Sequence, residues 1–252
     1  MIIGNGQFLL GDCLDLMTSI PDGSVDMVLC DLPYGTTACK WDQVIPFEPL
    51  WSHYWRVCKP NAAVVLTASQ PFTSALIMSQ VDRFKYCWVW NKNLPTNFAN
   101  AKRRPMTAHE DIAVFCRQQP VYNPIKVLSK IKDRKLGGSN GVRGKDKGGV
   151  YGNLTNEGTS HILNEMVSPR TTLEIDCVPR ATGTLHPTQK PVALFDYLIK
   201  TYTNPGDLVL DNCAGSGTTA IAAQATGRRW LCMERDSAYY YAAVGRVWKA
   251  CQ

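Results

Sequence analysis

No run of about 18 consecutive apolar residues occurs in this 252-residue chain, so no membrane-spanning helix is expected. The start, Met1-Ile-Ile-Gly-Asn-Gly6, lacks the basic region and small-residue cleavage site of a secretory signal, which points to a protein that stays inside the cell. No Cys-x-x-Cys occurs and the four histidines are dispersed, so no structural metal is expected. The ten cysteines are scattered from Cys13 to Cys251, which suits small buried hydrophobes in a reducing compartment better than a disulfide framework. There is no internal repeat.

An excess of charge outside one segment is also missing. Between Lys126 and Lys147 stand eight basic and two acidic residues, a net +6, and the rest of the chain carries 19 of each sign. The surplus therefore belongs to one segment, and a polyanion is its natural partner.

What is present reads as α/β with a mostly parallel sheet, because short apolar runs alternate with helical patterns. Strands are predicted at 7–10, 25–30, 62–68, 84–90, 111–116, 208–210 and 230–233. Helices are predicted at 13–20, 47–57, 189–202, 218–225 and from Asp236 onward. From Arg117 to Gly183 the pattern fails, with Gly-Gly-Ser-Asn-Gly and Gly-Lys-Asp-Lys-Gly-Gly inside it. A structureless loop of that length in a compact domain is expected to be functional or mobile. The organisation is thus read as two halves of one domain, 1–116 and 184–252, with 117–183 inserted.

Leu208-Val-Leu-Asp-Asn-Cys-Ala-Gly-Ser-Gly-Thr-Thr-Ala220 reads as strand, tight turn and helix start. Gly215 and Gly217 let the backbone approach a ligand at the carboxyl end of the strand. Glu234 ends the next strand, where a carboxylate can accept from ribose hydroxyls. Gly215-x-Gly217-x-x-Ala220 also fits a dinucleotide fingerprint, so a nicotinamide-dependent oxidoreductase is a rival at this point. Asp211 argues against it, since a carboxylate beside the turn suits an ammonium better than a pyrophosphate.

Asp31-Leu32-Pro33-Tyr34 follows a second buried strand directly. An exocyclic base nitrogen is a poor nucleophile because its lone pair is delocalised into the ring. The Asp31 carboxylate and a backbone carbonyl of Leu32 or Pro33 can accept its hydrogens, Pro33 fixes the backbone, and Tyr34 offers a stacking face. Alone, such a turn is more often structural; together with the glycine turn it is not.

These two motifs, with His186-Pro-Thr-Gln-Lys-Pro191 as a third, resemble the amino-group (N6-adenine and N4-cytosine) DNA methyltransferases in the permuted order of the β group. The resemblance implies a Rossmann-like, doubly wound class I methyltransferase fold and S-adenosyl-L-methionine as cofactor. It implies that Asp31, Pro33 and Tyr34 line the target-base pocket, Asp31 also bordering the donor. Asp211, Ala214, Gly215, Ser216, Gly217 and Thr218 would surround the donor's methionine part, with His186, Thr188 and Lys190 near its carboxylate end. Glu234 would bind the ribose and Asp12 would lie near the adenine. Thr188 and Pro191 also read as the cap and first-turn proline of a helix. The family usually has proline at Leu32 and Pro-Phe at Asn212-Cys213, and the lost aromatic at Cys213 predicts weaker cofactor packing.

The resemblance further implies double-stranded DNA as partner, with the target nucleotide flipped out of the duplex. The insertion then serves target recognition through Lys130, Lys132, Arg134, Lys135, Arg143, Lys145 and Lys147, and a second surface holds Phe98, Lys102, Arg103 and Arg104. A non-catalytic DNA-binding module is the alternative from another class. Aspartate at the head of the catalytic motif favours adenine N6 over cytosine N4. The family pattern also allows a homodimer, a cognate restriction endonuclease, and a cytoplasmic setting in a bacterial or phage-infected cell.

Overall fold

The computed structural model describes residues 1–37, 39, 41–128, 166–178 and 188–252. Residues 1–123 and 170–252 form one compact unit and Pro124–Pro169 a second. In the second, β7 (Val127–Leu128) pairs antiparallel with β8 (Met166–Val167).

The nine-stranded sheet of the first unit contains β1 (Ile2–Ile3), β2 (Gly6–Leu10), β3 (Val25–Asp31), β4 (Cys58–Ala68), β5 (Phe84–Thr96), β6 (Thr107–Phe115), β9 (Thr172–Glu174), β10 (Leu208–Asp211) and β11 (Arg229–Glu234). Their order is β1-β2-β11-β10-β3-β4-β6-β5-β9. From β2 through β4 all neighbours are parallel. β6 then runs antiparallel to both β4 and β5. The short β9, within the stretch where regular structure was not predicted, pairs parallel with β5.

Among the described residues, six helices cover the two faces. Met27 and Leu29 of β3, with Ala63 and Val65 of β4, pack under α4 (Val192–Tyr202), α5 (Thr218–Ala225) and α6 (Ser237–Ala250). Val28, Cys30, Val64 and Leu66 point the other way, under α1 (Cys13–Met17), α2 (Phe47–Val57) and α3 (Phe72–Met78). With both faces dry, a central strand has no polar alternation to show, which is why 25–30 reads as one apolar run. Helix α2 keeps Leu50, Trp51, Tyr54 and Val57 on one buried face. At α6 the Asp236 side chain accepts from Ala238 N at 2.8 Å and Tyr239 N at 3.1 Å, a regular N-cap. α3, seven residues long, was not predicted. α4 begins at Val192 with Pro191 at its cap position, so Thr188 is not the cap and Pro191 precedes the first turn.

The crossover from β10 through α5 to β11 lies on one face, and that from β3 through α2 to β4 on the other. β10 and β3 are neighbours, so the two connections diverge at their carboxyl ends and open a crevice there. The core under that crevice predicts a specific cost. Leu29→Ala, at a fully buried position, should lower unfolding stability by about 2–5 kcal/mol. In a urea titration the midpoint should fall with the slope unchanged; an unmoved midpoint would show that this layer is not closely packed.

Candidate active site

A cavity of about 970 Å³ occupies the crevice. That is the upper end of the range for small-molecule sites. Its wall takes Asp12 after β2, Asp31 at the end of β3 with Pro33 and Tyr34 after it, Asp211 at the end of β10 with the turn that follows, and Glu234 at the end of β11. Strands with a common direction deliver these residues to one edge, and both predicted motifs meet in one space.

The glycine turn is tightly braced. Asp211 is 2% exposed; it accepts from Cys213 N at 3.0 Å and from the Thr219 hydroxyl. Burial outweighs those bonds and pushes its pKa up to about 6. Glu234 accepts from Gly215 N and Asp236 N, both at 2.8 Å, and burial raises its pKa as well. Arg246 donates to the Ser216 carbonyl at 2.8 Å, and Thr218 donates to the Lys190 carbonyl at 3.2 Å, tying the third motif to the turn. Gly217 has a different task from Gly215. It does not line the cavity; at φ +76° it starts α5, and a Cβ there would stand 2.9 Å from Val247.

Around Asp31 the bonds divide by oxygen. Oδ1 accepts from the Tyr34 hydroxyl at 2.8 Å and from the Thr67 hydroxyl. Oδ2 faces the Lys190 ammonium at 2.6 Å. Lys190 Nζ also stands 3.4 Å from Glu110 Oε2, and Lys92 Nζ is 3.1 Å from Glu110 Oε1. Burial works against the Lys190 charge, but the Asp31 and Glu110 carboxylates outweigh it and hold its pKa above the ordinary lysine value. One side of the Tyr34 ring is stacked on Phe72 at 5.2 Å. The loop after Tyr34 is closed by Asp42, which accepts from Gly35, Thr36 and Thr37 N at 2.7–2.9 Å.

The sequence signature of the DNA methylase family that covers N6 and N4 enzymes matches residues 25–245. The chain belongs to that DNA methylase family. It is 26% identical over 262 residues to YubD of Escherichia coli (strain K12), covering 96% of this chain and 89% of that protein. Solved structures share the fold. The M1.HpyAVI–SAM complex aligns with a TM-score of 0.64 at 23% identity, covering 96% of this chain and 98% of that one. The PvuII cytosine-N4-specific DNA methyltransferase aligns at 0.68 and 17% identity, covering 99% and 92%. TTHA0409 of Thermus thermophilus, complexed with S-adenosyl-L-methionine, aligns at 0.59 and 18% identity, covering 98% and 94%.

Of the residues singled out from the sequence of this DNA methylase, Asp12, Asp31, Pro33, Tyr34, Thr188, Lys190, Asp211, Ala214, Gly215, Ser216, Thr218 and Glu234 line the cavity, and Phe98 joins them. Phe98 is 78% exposed on the β5–β6 connection, and Lys102, Arg103 and Arg104 are exposed just after it. His186, Lys130, Lys132, Arg134, Lys135, Arg143, Lys145 and Lys147 lie outside the described residues. Among the described residues no helix is long and apolar enough to cross a membrane, and no cluster of ligand side chains could hold a metal.

Sequence reasoning missed Thr67, Lys92 and Glu110. Thr67 had a visible signal, a hydroxyl inside the fully buried run Ala62–Ala68. Glu110 stands at the amino side of its apolar stretch, and only the reversed direction of β6 carries it to the carboxyl edge of the parallel strands.

Two outcomes test this geometry. Gly217→Ala should cost about 1–3 kcal/mol of stability through strain and crowding against α6. Its effect on ligand affinity should be smaller than that of Gly215→Ala, and the reverse order in binding titrations would refute the division of labour. For Asp211 the folded pKa lies above the unfolded one. Its contribution to stability is therefore fully present below about pH 3.8 and is lost as pH rises through about 6. Asp211→Asn should flatten that part of the stability–pH curve measured by denaturation, and an unchanged slope would show that Asp211 does not carry it.

Proposed function

We propose that this DNA methylase transfers a methyl group from S-adenosyl-L-methionine to N6 of adenine in duplex DNA, the target base being flipped into the crevice. The observation that carries the reading is the single cavity shared by the Asp31–Tyr34 turn and the 211–218 turn.

The residues present fit the donor. Buried Asp211 and the braced turn Ala214, Gly215, Ser216 and Thr218 suit its amino-acid part, Glu234 its ribose hydroxyls, and Asp12 the adenine end. Thr188 and Lys190 close the wall between donor and base. Bound there, S-adenosyl-L-methionine supplies an electrophilic methyl on a sulfonium, so the protein has to position a nitrogen more than deprotonate it in advance.

That task falls to Asp31. Its carboxylate accepts a hydrogen of the amino group, draws the lone pair out of the ring and takes up the proton that the methylated nitrogen sheds. Tyr34 and Thr67 hold the carboxylate by its other oxygen, so its aim is set before substrate arrives. The side of the Tyr34 ring away from Phe72 offers a stacking face, with exposed Phe98 across the rim as a second. Because an amino group within a duplex is out of reach of such a pocket, flipping costs a few kcal/mol. Lys102, Arg103 and Arg104, with the basic insertion, supply phosphate contacts to offset it. Aspartate as the acceptor supports adenine over cytosine.

Incubation with unmethylated duplex DNA and labelled donor, then digestion to nucleosides and mass spectrometry, should place the label on N6-methyldeoxyadenosine. Label on N4-methyldeoxycytidine would replace the base assignment, and no label at a donor concentration that saturates binding would defeat the whole reading. Asp31→Ala should lower the turnover number by ~10²–10³-fold while donor affinity stays within severalfold. Near-normal turnover in this variant would remove Asp31 from its role.

A further inference from the structure

Asp31 is not free. Its Oδ1 is committed to the Tyr34 and Thr67 hydroxyls, which belong to the fold. Oδ2 is the oxygen left for a substrate amino group, and the Lys190 ammonium stands on it at 2.6 Å. An ammonium there is the wrong companion for methyl transfer on two counts. It draws off the negative charge with which Asp31 would pull on the amino hydrogens. It also repels the positive charge that grows on the nitrogen as the methyl arrives, an interaction that strengthens as the site loses water.

Lys190 cannot simply retreat into water, since its side chain is only 7% exposed and a bare buried ammonium is costly. Besides the Tyr34 ring, whose centroid is 5.7 Å from the ammonium, one other carboxylate is paired with it among the described residues. Glu110 Oε1 is engaged by Lys92 at 3.1 Å, whereas Oε2 is buried, carries no hydrogen bond, and lies 3.4 Å from Lys190 Nζ. A shift on the order of 1 Å would turn that approach into a full charge-assisted hydrogen bond of about 2.7–2.9 Å.

We propose that Lys190 is a built-in stand-in for the substrate amino group, and that Glu110 is the seat receiving its ammonium when the base enters. The idea rests on the reading that Asp31 holds the target nitrogen. Without substrate, Lys190 keeps the aspartate charge paired inside the crevice. With substrate, the amino group takes over Oδ2, Lys190 moves across to Oε2, and every buried charge keeps a partner throughout. Glu110 is thus a positioning residue that acts through Lys190.

The test compares wild type, Glu110→Gln, Glu110→Asp and Asp31→Ala as full chains on unmethylated, sequence-complex duplex DNA with labelled S-adenosyl-L-methionine. Turnover is read beside equilibrium binding of donor and of DNA. Glu110→Gln leaves Lys190 with Asp31 as its one anion, so the turnover number should fall about tenfold while both dissociation constants stay within about twofold. Glu110→Asp, shorter but still anionic, should fall between this variant and wild type. A Glu110→Gln turnover within about threefold of wild type, a loss that lies in binding instead of turnover, or a Glu110→Asp variant as slow as Glu110→Gln would each overturn the proposal. If thermal melting shows that Glu110→Gln does not fold, Glu110→Asp decides, and an undiminished turnover number there overturns it. Near-normal turnover in Asp31→Ala sinks the underlying reading of Asp31, whereas an inactive Asp31→Ala beside a normal Glu110→Gln sinks only the seat.

Discussion

The parallel pairing of β3 with β10 is the constraint on which the site depends. Because their crossovers leave to opposite faces, the sheet opens between their ends, and whatever follows each strand must face the other. The register adds a refinement. Leu210 is level with Val28, so Asp211 stands one residue beyond the last position paired between β10 and β3, and Asp31 stands three beyond it. The same residue type is thereby placed at two depths. Asp211 is sealed beneath the glycine turn with its pKa raised, while Asp31 reaches into the cavity with a side chain 21% exposed. One strand offset separates a carboxylate that braces a turn from one that can meet a ligand.

Around Asp31 the crevice holds an alternating row of charges, Lys92, Glu110, Lys190 and Asp31, drawn from β5, β6, the approach to α4, and β3. Such a row is poor evidence for stability, since apolar packing would serve a core as well or better. Its value lies in mobility of partnership. An interior cation between two carboxylates can move without ever being left unpaired, which a single buried ion pair does not allow.

The two ends of the sheet are built differently for that reason. On the β2 side, parallel strands bring only their carboxyl ends to the crevice, and those ends carry the turns that enclose the 211–218 region. On the β5 side only β6 reverses, so its amino end meets the same edge as the carboxyl continuation of β5 to Thr96. The reversal supplies Glu110, which a wholly parallel sheet could not place there, and sets it beside Lys92 at the carboxyl end of β5.

Much of this was legible along the chain. The helices at 47–57 and 218–225 coincide with α2 and α5 to the residue, and the strands ending at Asp31, Asp211 and Glu234 were found within a residue of their ends, because local apolar patterning and turn chemistry determine them. The glycine and Asp-Leu-Pro-Tyr turns announced a shared site because each sits immediately after a buried strand. Local pattern could not reveal strand direction at the far edge, the extension of β5 six residues past Trp90, or the docking of β9 beside it. Nor could it separate Gly215, which faces the cavity, from Gly217, which packs on α6. Those outcomes come from pairing and packing between residues far apart in sequence. The amino-acid order determined which groups are available for chemistry, and only the folded sheet decided that Lys190 stands between Asp31 and Glu110, since that choice is made by electrostatics across strands that never touch along the chain.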